Sequence, residues 1–227
     1  MNFFVHIVES PSALDVLDAR LEGRVLYQAI DTSGVQSTYL VACDKETFWE
    51  AIGNRLLDAI AQDSYQRWPF LHLSAHGVQS GIELTNRDFV TWVELTGYLR
   101  RLNRVLQGRL LLSVSSCHGA YAVQEVLKEG DHPYFALVGP ADQIPLSDLA
   151  VGFSAFYHIL SKTWDLHGAF EAMKIASGSN KFRLFITEQV KKDYEAWQLQ
   201  QRVNQILLGM QQQNPLAPPM PGGGVDS

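Results

Sequence analysis

The sequence is poor in cysteine: Cys43 and Cys117 are the only two in 227 residues. Two thiols cannot supply a disulfide framework for a chain of this size, and a reducing compartment fits better. They also cannot build an all-cysteine zinc site. No cluster of His, Asp and Glu has metal-ligand spacing, so neither a metal nor another cofactor is expected. Basic charge is not in excess either. Lys and Arg number 18 against 24 Asp and Glu, a formal charge of −6, which argues against nucleic acid as a partner. No stretch approaches the ~20 apolar residues of a membrane span, so no membrane partner is expected. The N-terminal MNFFVHIVES lacks a cationic region and a small-residue cleavage site, which disfavours a secretory leader. The expectation is a soluble, cytoplasmic protein. No internal repeat is evident. No glycine-rich loop suits a phosphate, because Gly222-Gly223-Gly224 follows no strand pattern and precedes no helix.

What is present is an ordinary globular composition, 46% hydrophobic and 19% charged. Residues 2–8 (NFFVHIV) read as a buried strand. Pro11 and Ser12 open a helical pattern carrying Leu14, Val16, Leu17 and Leu21, closed by Gly23. Residues 24–30 and 36–42 read as two strands around Asp31-Thr32-Ser33-Gly34. Asp44 suits the N-cap of a helix through Ile60. FLHLSA forms the next strand, ending at His76-Gly77, and a small hairpin follows. Thr91–Gln107 is helical, and RLLLSVSS is an apolar central strand ending at Cys117-His118-Gly119. A helix from Ala120 to Lys128 with Gly130 as C-cap, a strand at 134–139, a helix capped by Ser147 or Asp148, a helix at 166–176 and a last strand at 182–186 complete the pattern. The alternation predicts an α/β protein, a three-layer α/β/α sandwich with a mostly parallel central sheet. Its domain spans 1–186. A helix over 187–213 is expected to pack on it or dock a partner, followed by a disordered Pro/Gly-rich tail at 214–227.

In such sheets functional residues gather at the carboxyl ends of strands. His76 and Cys117, 41 positions apart, both fall there. A thiolate is the reactive form of cysteine, and an adjacent imidazole can take the thiol proton and later protonate a leaving amine. Gly77 lets its backbone N–H approach a substrate oxygen, and with the N–H of Cys117 would form a two-donor oxyanion hole. A helix beginning at Gly119 would add a positive dipole end near the thiolate. His118 is the weaker choice of base, since successive residues at a strand end point apart. His72 and Cys43 read as core residues, and His158 and His167 as helix-surface or packing residues.

LHLSAHG and LLLSVSSCHGA resemble the two signature blocks of the caspase-like cysteine peptidases. This superfamily includes caspases, metacaspases, separases, gingipains and bacterial CHAT domains. The Cys-x-Gly of the caspase block Gln-Ala-Cys-x-Gly is kept, but its Gln and Ala are replaced by Ser115 and Ser116. The likeness is closer to CHAT domains, through GIELTNRDFVTWVEL, FALVGPADQIPLSDLAVGFSAFYHIL and HGAFEAMKIAS. It covers roughly 70–190. The resemblance implies an endopeptidase with His76 as general base, Cys117 as nucleophile, and the Gly77 and Cys117 amides as oxyanion hole. Separase-like and many CHAT relatives carry an acidic residue, after the strand that follows the Cys block, facing the P1 side chain, the one before the scissile bond. Asp142 and Asp148 lie in the matching segment and would favour Arg or Lys there. The tryptophan often found in that loop is missing from GPADQIP, and Asp148 suits a helix N-terminus equally well. Glu9 is a further residue for the pocket rim, or a solvated loop residue.

By analogy with standalone bacterial relatives, the substrate would be an intracellular protein such as a gasdermin-like pore former, in a signalling or antiviral defence pathway. No sensor module is visible, so an activating protein partner or a processing event is expected. Two other readings stay open: an inactive caspase-like interaction module, and a cysteine amidase acting on small molecules.

Overall fold

The computed structural model describes residues 2–63, 66–127 and 132–213, with side chains of the last helix to 206. The expected tail at 214–227, Lys128 and Gly130 lie outside the described residues. The chain divides into two units, Met1–Val190 and Lys191–Ser227.

The first unit is built on six strands: β1 (Phe3–Ser10), β2 (Ser37–Val41), β3 (Trp68–Val78), β6 (Leu111–Ser115), β7 (Ala136–Pro140) and β8 (Phe182–Ile186). They lie in the order β2-β1-β3-β6-β7-β8. All neighbours are parallel except β7 and β8. β3 overruns its partners and turns back into two short strands, β4 (Gly81–Glu83) and β5 (Phe89–Thr91).

Alternation along the strands serves two cores. Phe4, Val8, Leu71, Leu73, Leu112 and Val114 face one layer of helices. That layer holds α3 (Lys45–Glu50), a π-helical turn (Ala51–Arg55), α4 (Leu56–Gln62) and α5 (Trp92–Val105). Phe3, Val5, Ile7, Phe70 and Leu111 face the other. There pack α2 (Glu22–Thr32), α6 (Leu146–Thr163) and α7 (Leu166–Ser177) through Leu26, Ile30, Phe153, Phe156, Tyr157 and Met173. The result is the α/β/α sandwich with a mostly parallel sheet. α1 (Ala13–Leu17) and α8 (Thr187–Gln213) complete the elements.

Four local readings change. Residues 24–30, expected as a strand, lie in helix α2. Its buried Gly23, Leu26 and Ile30 follow helical spacing, while Val25 is exposed. The helix after Pro11 is one short turn, and Leu14 and Leu17 are exposed. Gly119–Leu127 is a 3-10 helix rather than an α-helix. α6 starts at Leu146 with Pro145 as N-cap and no side-chain cap, so neither Ser147 nor Asp148 caps it. Asp44 does cap α3, accepting from the Thr47 N–H at 2.8 Å. No described helix is long and apolar enough to cross a membrane.

Candidate active site

β3 and β6 are paired neighbours at the centre of the sheet, and their register ends with Ser74 beside Ser115. Two residues further along each chain come His76 and Cys117. Both lie just past the end of that paired register, at the same end of the sheet. Both line one cleft of about 380 Å³, with Glu9, Asp15, Glu22, Ser115, Ser116 and a wall of Ile144, Leu146 and Leu149.

Cys117 sits in a tight turn. The Gly119 N–H donates to the Ser116 carbonyl at 3.1 Å, and His118 takes a left-handed φ of 61°. A non-glycine residue there is uncommon and costs about 1 kcal/mol or more, so the surroundings must hold it. His118 is held by its N–H on the Asp142 carbonyl and by its ring on Tyr121. It does not line the cleft. Gly119 has no room for a side chain, because a Cβ would stand 2.7 Å from Val114 Cγ1. The Cys-x-Gly pattern is thus a packing requirement of the turn.

Gly77 is equally constrained. A Cβ there would collide with the Cys117 carbonyl and stand 2.6 Å from Ser116 Oγ. The His-Gly and Ser-Cys segments are in direct backbone contact.

His76 is largely exposed, and its Nε2 donates to Asp15 Oδ2 at 2.7 Å. A carboxylate can only accept, so the proton of neutral His76 is on Nε2 and the Nδ1 lone pair is left to accept. Among the described residues, no hydrogen bond joins His76 to Cys117. Asp15 is itself fixed: Oδ2 also accepts from the Ser12 hydroxyl at 2.5 Å and the Ser12 N–H at 3.3 Å, and Arg20 lies 3.5 Å from Oδ1. Burial alone would raise the Asp15 carboxyl, but the bonds from Ser12 and His76 outweigh it and hold it below the usual aspartate value. The loop before α1 is tied down by Ser10 to the Ala42 carbonyl at 2.6 Å and by Thr85 to the Pro11 carbonyl at 2.7 Å. Sequence reasoning missed Asp15. Its one local signal, the Ser12-x-x-Asp15 capping box, says helix start and nothing of His76.

Asp142 and Asp148 do not line the cleft. The Asp142 side chain is mostly exposed, with Oδ1 on the Gln143 N–H and Oδ2 3.9 Å from Lys181 Nζ. Asp148 lies in the first turn of α6 and accepts from Ser147. The cleft's carboxylates come instead from the other side of the sheet end. Glu9 is not solvated: it is 2% exposed, bound by the Tyr39 hydroxyl at 2.6 Å and the Gly23 N–H at 2.9 Å. Burial raises its carboxyl above the usual glutamate value. Glu22 is buried and went unnoticed in the sequence.

Cys43, expected in the core, is exposed. His72 is buried, with Nδ1 3.1 Å from the Tyr157 hydroxyl. Among the described residues, no group of three or more His, Cys, Asp or Glu is placed to hold a metal ion. No protein-family model matches the chain, and no curated protein matches it.

Proposed function

We propose that the chain is a cysteine endopeptidase of the caspase-like type, with Cys117 as nucleophile and His76 as general base. The observation that carries this reading is the Asp15–His76 hydrogen bond at the rim of the cleft that Cys117 also lines. It leaves Nδ1 as the ring nitrogen free to accept the thiol proton, the arrangement a base needs beside a nucleophile. Asp15 in turn favours the imidazolium that forms.

In the first step the Cys117 thiolate attacks the scissile carbonyl carbon and forms a C–S bond. The Gly77 and Cys117 amides would bear the resulting oxyanion. His76 gives its proton to the amine as the C–N bond breaks, leaving a thioester. Water then attacks the thioester, losing a proton to His76, and the carboxylate product leaves as the thiol is restored. Substrates are proteins of the same cell, and a partner protein or processing event sets the timing.

The test is a proteome-wide map of new N-termini made with wild type, Cys117→Ala and His76→Ala. Cleavages present only with wild type are expected. The same cleavages with Cys117→Ala would overturn the proposal.

A further inference from the structure

The opposite end of the sheet carries a second cavity, of about 340 Å³, lined by Trp68, Leu111, Phe135, Trp164, Asp165 and Leu166. Trp68 opens β3, and His76 lies eight residues further along the same strand, about 26 Å away at ~3.3 Å per residue. Leu111 likewise opens β6. The cavity shares no lining residue with the cleft of Cys117.

Three of its six side chains are aromatic. Phe135 and Trp164 stand at 74° and 65° to the Trp68 ring, with centroids 5.3 Å and 6.2 Å away. The rings therefore form steep walls rather than one flat stack. Phe135 and Trp164 are 37% and 42% exposed. Trp164 also holds a left-handed backbone, φ 54° and ψ 29°, at the end of α6. Glycine or asparagine is usual at that position, and a bulky side chain there is an outlier of the kind that gathers at binding sites. Stacking on Phe3 at 5.8 Å fixes the ring. Asp165 is the one charged side chain in the lining. It caps α7 through Oδ1, which accepts from the His167 N–H at 3.0 Å. Oδ2 accepts no hydrogen bond and Asp165 forms no ion pair among the described residues.

We infer that this cavity binds a quaternary ammonium group. Aromatic rings attract a cation through their quadrupole, and tryptophan does so best. The Asp165 carboxylate supplies the countercharge. The lining also discriminates among cations. A lysine ammonium brings three N–H donors and a guanidinium five, whereas indole N–H groups only donate. Asp165 is the sole side-chain acceptor in the cavity. A quaternary ammonium has no N–H to satisfy, and its methyl groups suit aromatic and leucine walls. A sugar would leave most of its hydroxyls facing those same apolar walls. The headgroup occurs on free molecules such as choline and on trimethylated lysine side chains, and the recognition chemistry is the same for both. The site does not depend on the peptidase reading.

The test is calorimetry on the full chain with two probes, choline and a short peptide containing trimethyl-lysine. Each is paired with a control: the neutral choline analogue in which a tert-butyl group replaces trimethylammonium, and the same peptide with unmodified lysine. Saturable binding of at least one quaternary probe is expected, with its control at least about tenfold weaker. The tighter probe identifies the source of the group, choline a free molecule and the peptide a modified protein. Trp164→Gly removes the indole while suiting the left-handed turn, and binding should be lost. Asp165→Asn keeps the helix cap, since asparagine caps as well as aspartate, so this variant reads the charge alone. It should weaken binding by at least about threefold. Saturation by neither quaternary probe, equal binding of the controls, or an affinity unchanged in either variant overturns the inference.

Discussion

Nε2 of His76 lies 2.7 Å from Oδ2 of Asp15, a contact between the long central strand and the five-residue helix that directly follows β1. The pair fixes the tautomer of an exposed imidazole at the mouth of a cleft. In the proposed mechanism Asp15 is a positioning residue, since it would reach the chemistry only through His76.

Removing that carboxylate should cost activity more than stability. Asp15→Asn is expected to lower kcat by roughly 10- to 100-fold with little change in KM, because the wrong tautomer of His76 becomes accessible. Stability should fall by less than about 1 kcal/mol, as the histidine is exposed and the pair is screened. Asp15→Glu should recover part of kcat. The pairing contributes fully above the ordinary aspartate value and is lost as pH falls below it, because the carboxyl is held low in the folded protein. Steady-state kinetics against pH, alongside urea unfolding, measures both effects.

Gly77 has no space for a methyl group. Gly77→Ala must push apart the His-Gly and Ser-Cys segments, since its Cβ would stand 2.9 Å from Ser116 Cβ. Overpacking of this kind costs about 1–3 kcal/mol. A lowered melting temperature together with lost cleavage is expected; an unchanged melting temperature would contradict the close backbone contact.

Acid sensitivity should come from His6. Its ring is buried, Nε2 donates to the Ala51 carbonyl at 3.0 Å, and Nδ1 accepts from the Thr38 hydroxyl at 2.7 Å. Burial lowers its pKa to about 4. Between 6.5 and 4 the unfolded chain binds the proton and the folded chain does not, so stability falls as pH falls through that window. The loss amounts to about 3 kcal/mol for a shift of this size. Urea midpoints at pH 7 and pH 4.5 should differ strongly in wild type and much less in His6→Gln.

Strand and helix patterns were readable where period and capping agreed. The apolar run at 70–75 and the helical apolar spacing over Thr91–Gln107 each point one way. The 24–30 segment misleads because Val25 and Tyr27 lend it strand character, while the deciding fact is which side Leu26 and Ile30 bury. The 3-10 helix after Cys117 is rich in small apolar residues that suit either helical period. At the site, His76 and Cys117 stood out because each ends an apolar strand. Asp15 and Glu22 did not, because their significance depends on a crossover that folds back over the sheet end. A capping aspartate and a helix-start glutamate look ordinary until burial and partners are known. Asp142 and Asp148 drew attention by position in the chain, which says little about the direction of a loop carboxylate.

The proposed activation of Cys117 by His76 is measurable without any substrate. Alkylation by iodoacetamide at neutral pH, followed by mass spectrometry at Cys117, reads its reactivity, and exposed Cys43 serves as the internal reference. The peptidase mechanism predicts that Cys117 is alkylated faster than Cys43 and that this excess is lost in His76→Ala. Equal alkylation rates for Cys117 in both proteins, matching that of Cys43, would contradict it.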